Sequence, residues 1–281
     1  MRRSAWLGLV LLALVPALAH ATAVSPPGVN LRWDNCYGDG GAWNKSFACD
    51  RNAGSERLVC SFELDQPLLQ TSGVELQLEL SAAGTSVPAW WGFWSSGSCR
   101  QASLSVVGTI PPTAVNCADW SQGIASGGLA AYSVGSHGAQ TAQIVAGEAL
   151  PGSALADLIA GQEYFAAMVI INNTKTLGTG ACGGCDVPVC IFLSHIKIAT
   201  PPVLGEPSRD LWLDRPANYL GSQYVTWQNG YPVNVQRQCI EYGGFFGVYC
   251  TGRYNTIFDC VLATPTGSRG STWGQVKSLY R

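Results

Sequence analysis

The pattern of apolar and polar positions divides the chain into strand-length segments separated by turn-rich stretches. Residues 58–64 place Leu58, Cys60, Phe62 and Leu64 on one side and Val59, Ser61 and Glu63 on the other. Residues 74–80 repeat the pattern, with Val74, Leu76, Leu78 and Leu80 opposite Glu75, Gln77 and Glu79. A period of two over this length predicts strands with one solvated face. Residues 29–33 and 140–146 are further strand candidates. Residues 164–171 and 189–198 are apolar throughout and rich in β-branched residues, and they read as two strands of one sheet joined by a long connection. In the second run Val189, Ile191 and Leu193 share a parity that Ile196 and Ile198 break. Either the strand is buried on both faces or a bulge near Ser194 and His195 resets its register.

Between these segments, residues 119–137 are rich in Gly, Ser and Ala and read as irregular. Residues 153–159, opened by Pro151-Gly152 and closed by Gly161, fit one short helical turn. Beyond Pro202 the texture shifts to Tyr, Trp, Asn and Arg, with short strands expected at 210–213, 224–227, 238–242, 246–250 and 256–262. At the end, Thr272 and Gln275 have capping-box spacing, and Trp273, Val276 and Tyr280 share a helical face. The expected fold is all-β: an antiparallel two-sheet sandwich, jelly-roll-like or Ig-like, over residues 24–200. A small β extension follows at 203–262, then a linker and a basic amphipathic C-terminal helix at 263–281, which must dock on its own body or on an export or assembly partner.

The first 23 residues change the picture from a fold to a compartment. Arg2 and Arg3 precede an apolar core ending at Pro16, and Ala19-His20-Ala21 suits a cleavage site, as in a secretory signal. The expected location is secreted, extracellular or at the cell surface, with the periplasm an alternative. No later segment is apolar enough to predict a membrane span. Charged residues make up only 12% of the chain, with 16 basic and 18 acidic side chains. The absence of a basic excess argues against nucleic acid.

Eleven cysteines fit an oxidising compartment and leave at least one thiol outside intramolecular pairs. Cys36 with Cys49, and Cys99 with Cys117, close compact loops and are the expected pairs; the first would stabilise by roughly 3 kcal/mol. Cys182, Cys185 and Cys190 read as a stapled turn. Of Cys239, Cys250 and Cys260, one bonds back to the first region or stays free. Cys60, on an apolar face, is a core thiol or a buried bridge. The texture as a whole is similar to that of secreted bacterial proteins and implies neither ligand nor reaction.

Several residue sets have the makings of a site. Cys182, Cys185, Cys190 and His195 have the gaps of a retroviral-type zinc knuckle with its last two ligand types exchanged. Export favours disulfides over that reading, and Cys190 and His195 differ in parity. Asp34 and Asp39, with Asn35 and Asp50, offer oxygens to calcium, though turns use the same residues for local hydrogen bonds. Glu75 and Glu79 lie about 13 Å apart along a strand, too far for a glycosidase pair unless Glu63 or Asp65 approaches. No serine-centred triad is evident. Trp90, Trp91 and Trp94, with Phe93 and the separate Trp120, are candidate ligand platforms, since planar rings on a rigid sheet suit sugar or protein contacts. Alternation would divide Trp90 and Trp94 from Trp91. No cofactor is expected. The expected function is non-catalytic: binding of a glycan or protein, or structural assembly. The alternative is a secreted hydrolase acting on polysaccharide.

Overall fold

The computed structural model describes residues 28–93, 97–202, 209–217, 221–239 and 254–263. The signal segment, Trp94, residues 246–250 and the C-terminal helix lie outside them. The strands in the first half are β1 (Gly28–Trp33), β2 (Asn44–Lys45), β3 (Ser55–Glu63), β4 (Leu68–Thr71), β5 (Gly73–Ala82), β6 (Leu104–Val107), β7 (Ala118–Asp119) and β8 (Ser126–Val134). The second half supplies β9 (Thr141–Ala149), β10 (Ala156–Leu158), β11 (Glu163–Asn172), β12 (Val189–Ala199), β13 (Leu211–Leu213), β14 (Tyr224–Trp227), β15 (Gly230–Cys239) and β16 (Tyr254–Leu262).

Two major sheets face each other. The first has the order β1-β3-β11-β6, with β7 added to β11; the second has the order β2-β14-β12-β5-β9-β8, with β13 added to β12. Their inner faces meet in one apolar core. Leu58, Cys60, Phe62 and Leu64 enter it from the first sheet, and Leu76, Leu78, Leu80, Ile191, Leu193 and Ile196 from the second. The period of two thus reports which side of each strand faces this core. The expected solvated face is corrected: Val59, Ser61 and Glu63 on β3 and Gln77, Glu79 and Ser81 on β5 are buried under further layers. The parity break in β12 is a bulge: the pairing with β5 shifts between Leu193 and His195. It lets Leu193 and Ile196 both point inward.

Several expectations are corrected. The apolar runs 164–171 and 189–198 belong to opposite sheets, as β11 and β12, and the connection crosses the sandwich. Residues 126–134 form an edge strand, β8, which pairs with β9 and shifts register between Leu129 and Ala131. Segment 153–159 contains β10, which pairs with β4 in place of a helical turn. Residues 211–213 and 224–227 extend the second sheet as β13 and β14, while β15 and β16 make a separate hairpin.

The disulfides are also differently connected. Cys36 bonds Cys117, Cys49 bonds Cys185, Cys99 bonds Cys182 and Cys190 bonds Cys260. All close loops of 70 residues or more, and on the chain-entropy view each restricts the unfolded chain more than a short-loop pair. Local spacing misled because the sandwich brings distant turns together. Asp39, for example, ties the turn after Cys36 to the segment before Cys117 by accepting from the amides of Val115, Asn116 and Cys117. Cys185 and Cys182 take separate partners on either side of the crossing connection. Cys260 does bond back to the sandwich, and Cys60 is a buried free thiol. Desolvation raises its pKa, so it stays an inert core group. The side chains of Cys239 and Cys250 lie outside the described residues.

Candidate functional site

Trp90, Trp91 and Phe93, the described rings of the aromatic run, do not form a platform. Residues Ala89–Trp91 make one 3-10 turn, opened by Pro88, with the Trp91 amide donating to the Pro88 carbonyl. A turn breaks the alternation that would have separated the rings, and Trp90 and Trp91 are both fully buried. Trp90 stacks on Trp227 at 5.2 Å, and Trp227 in turn packs on Trp33 and Phe47. Arg100 lies 3.7 Å above the Trp90 ring and donates to the carbonyls of Trp90, Thr174 and Asn172. Burial pulls its guanidinium down to about 9. Trp120 is buried as well. These rings fill the sandwich and are closed to a ligand.

The remaining sequence candidates are likewise occupied. Cys182, Cys185 and Cys190 are in three separate disulfides, which leaves no thiolate set for zinc around His195. Asp34 holds Lys45 at 2.7 Å. Burial pushes the Asp39 carboxyl up, but the amides of Asn116, Val115 and Cys117 outweigh it and hold the pKa below the ordinary value. Its oxygens serve a turn. Among the described residues, the one group spaced for a metal is Cys36, Cys117 and Glu163, and its sulfurs are joined to each other. Glu63 pairs with Glu163 in the first sheet, away from Glu75 and Glu79 in the second, and Asp65 is exposed.

A different surface gathers polar chemistry. The outer face of the second sheet carries Glu75, Gln77, Glu79 and Ser81 on β5, and Cys190, Phe192, His195 and Lys197 on β12. Their alternate neighbours point into the core. Hairpin β15–β16 packs over one stretch of this face. Phe258 meets Phe192 at 4.9 Å, Phe192 stacks on Tyr224 at 5.4 Å, and the Cys190–Cys260 bridge fixes the contact.

The buried polar groups of that stretch form a defined cluster. Glu79 Oε1 accepts from Gln77 Nε2 at 2.7 Å and from Gln143 Nε2 at 2.8 Å. Its Oε2 lies 3.5 Å from His137 Nδ1. Burial raises the Glu79 pKa, opposed by the donors on Gln143 and Gln77 and by His137. Ser81 Oγ is also buried without a hydrogen-bond partner.

The other stretch is open. A groove of about 620 Å³ runs over β8, β9, β5 and β12, lined by Glu75, Lys197 and the small residues Gly73, Gly147, Ala149 and Ala199. Lys197 pairs across the strands with Glu75, and its Nζ lies 3.1 Å from Asp210 and 5.6 Å from the Trp212 ring. Trp212 is 39% exposed, and it leans on the buried His195 ring at 4.9 Å. Trp212 was not among the sequence candidates. The available signal was its place between Leu211 and Leu213: if both leucines turn inward on β13, the ring between them must turn out.

Comparison with family models, with curated proteins and with solved structures finds no match. Among the described residues no helix is long and apolar enough to cross a membrane.

Proposed function

We propose that this is an exported, non-catalytic carbohydrate-binding protein whose ligand lies on the open stretch of the second sheet's outer face. The observation that carries the reading is the half-exposed Trp212 beside the Lys197–Asp210 ion pair. The pair sits where Lys197 lines the small-residue groove. An indole ring supplies a flat apolar surface for the C–H face of a pyranose. The carboxylates and ammonium beside it offer charge-assisted hydrogen bonds to hydroxyls. A floor of glycine and alanine lets a broad ring approach the sheet, and few convergent polar groups on a concave apolar surface are what orientation of a small ligand needs.

The test is affinity electrophoresis against soluble xylan, mannan, β-glucan, glycol-chitin and hydroxyethyl-cellulose, followed by calorimetry with the matching oligosaccharides. Retardation by at least one polysaccharide is expected, with Trp212→Ala weakening binding ten-fold or more and leaving the melting temperature unchanged. Migration unaffected by every polysaccharide would sink the reading, as would an unaltered affinity in Trp212→Ala. Release of new reducing ends on long incubation would move the assignment to the hydrolase alternative.

A further inference from the structure

Strand register places five outer-face positions in one line across the second sheet. Trp212 on β13 pairs with Lys197 on β12, and Lys197 pairs with Glu75 on β5. Glu75 pairs with Gly147 on β9, and Gly147 pairs with Gly128 on β8. An indole, an ammonium, a carboxylate and two glycines therefore stand in a single row. Four strand spacings of about 4.8 Å make it roughly 19 Å long.

Along the strands the open face is short. The row to one side is Ala199, Gly73, Ala149 and Ser126, and all four strands begin or end there. On the other side Gln77 and His195 are 4% and 1% exposed, so the face closes. The two open rows lie two residues apart, about 7 Å. A strip that narrow and that long takes one sugar ring in width and several in length, and an extended chain fits it only across the strands.

The strip also continues past β8. The groove of about 620 Å³ and a neighbouring one of about 570 Å³ share Gly127, Ala130 and Gly147 in their linings. The second is bounded by Leu104, Ser105 and Val106 of β6, the edge strand of the first sheet. Gly147, where the two meet, is not glycine for reasons of folding. Its φ is not positive, and a Cβ there would meet only the Val74 carbonyl oxygen at 3.4 Å, an ordinary contact. A glycine inside a strand weakens it, and one without a bulge or tight bend marks a place where something else approaches the backbone.

We propose that the two grooves form one track running across the strands from Trp212 to Ser105, and that its ligand is an extended polysaccharide chain with one ring on Trp212 and further rings over Gly147 and Gly128. This rests on the carbohydrate reading of the open groove. Each strand spacing is close to the advance of one ring in an extended glycan, so the row from Trp212 to Gly128 takes about four rings. Lys197 and Glu75 meet hydroxyls in the middle of the chain, and the bare backbone at Gly147 lets the next ring lie against the sheet.

The experiment is calorimetry on the full chain with xylo-, manno-, cello- and chito-oligosaccharides of two to six units. In the series that binds, affinity should rise with each added ring and level off at about four units, at least ten-fold above the disaccharide. Gly147→Leu places a side chain in the track at a position with room for it, and should bring the tetrasaccharide down to the affinity of the disaccharide. Ala130→Arg, an exposed position lining both grooves, is the second block and should remove at least five-fold from the longest ligands. It keeps the test open if Gly147→Leu is not recovered folded. Equal affinity at every length overturns the track, and with binding still lost in Trp212→Ala it leaves the carbohydrate reading standing. A length-dependent gain untouched by both blocks overturns the direction across the strands. Absence of binding to every oligosaccharide and every polysaccharide sinks both readings together.

Discussion

The outer face of the second sheet carries two stretches built on the same two strands and finished in different ways. Around Cys190 and Phe192 the face is capped by an aromatic hairpin and a disulfide, and its polar groups are dry. Around Lys197 and Glu75 the same face is an open groove with a half-exposed tryptophan on its side. Strand alternation puts polar residues on both stretches. What separates them is the tertiary partner. A rim that meets water keeps its charges at little cost, whereas a covered one must match each group or bear the desolvation.

The sharpest way to break this contrast is to remove the packing of the cover. Phe258→Ala deletes the ring that meets Phe192, and a buried Phe→Ala change of this kind costs about 3–5 kcal/mol. The expected result is an early unfolding step of β15–β16 in urea, seen by hydrogen exchange, with the sandwich core still protected. Simultaneous melting of hairpin and core would show that the two are one cooperative unit.

Breaking the Cys190–Cys260 bridge comes next. Cys190→Ser/Cys260→Ser releases a bridge that closes a 70-residue separation, for which loss of about 2–4 kcal/mol is ordinary. The loss should again fall on the hairpin. A loss spread evenly over β5, β9 and β12 would mean that the bridge holds the sheet itself.

Much of this division is legible in the chain, and the illegible part has a physical cause. Period-two segments locate β3 and β5, because a strand with one apolar and one polar face leaves a local record even where both faces end up covered. The broken parity near Ser194 gives two readings, and both hold: β12 bulges between Leu193 and His195, and it is buried on both faces from Val189 to Ile196. Which sheet a strand joins is not local, so 164–171 and 189–198 read as strands of one sheet although they lie in opposite sheets. The disulfides fail for the same reason: Cys49 meets Cys185 across a separation of 136 residues. The aromatic run drew attention through its density, yet one turn after Pro88 sends Trp90 and Trp91 inward. The ring that remains half exposed is the isolated Trp212. The hairpin's place on the face leaves one trace in the residues it covers: Cys190 and Phe192 are apolar on the outer side of β12.

The buried carboxylate offers a pH test of the covered stretch. Burial raises the Glu79 pKa above the ordinary carboxylate value, against the pull of Gln143, Gln77 and His137. The folded protein therefore binds a proton more tightly than the unfolded chain. This contribution to stability is present at acid pH and is lost as pH rises through the folded pKa. Glu79→Gln keeps an oxygen for Gln77 and Gln143 and cannot ionise. The variant should match the wild type near pH 4 and exceed it near pH 8 in urea melts. A difference independent of pH would mean that Glu79 is not a proton-linked group.

The smallest effect on stability is expected at the open groove. Lys197 and Asp210 are 3.1 Å apart, with side chains 26% and 19% exposed, and a pair at a wet rim contributes at most about 1 kcal/mol. Asp210→Asn should therefore leave the melting curve nearly unchanged. It should still weaken carbohydrate binding, because it removes a carboxylate acceptor and frees the Lys197 ammonium to swing away from the Trp212 ring. Raising the salt concentration separates the two consequences. Salt screens the wild-type ion pair, so any stability gap between wild type and variant should close as salt rises. The loss of an acceptor for a neutral sugar hydroxyl is insensitive to salt, and the affinity gap should persist. An affinity gap that closes with salt would place Asp210 in charge steering, and the groove would then be one for a charged ligand.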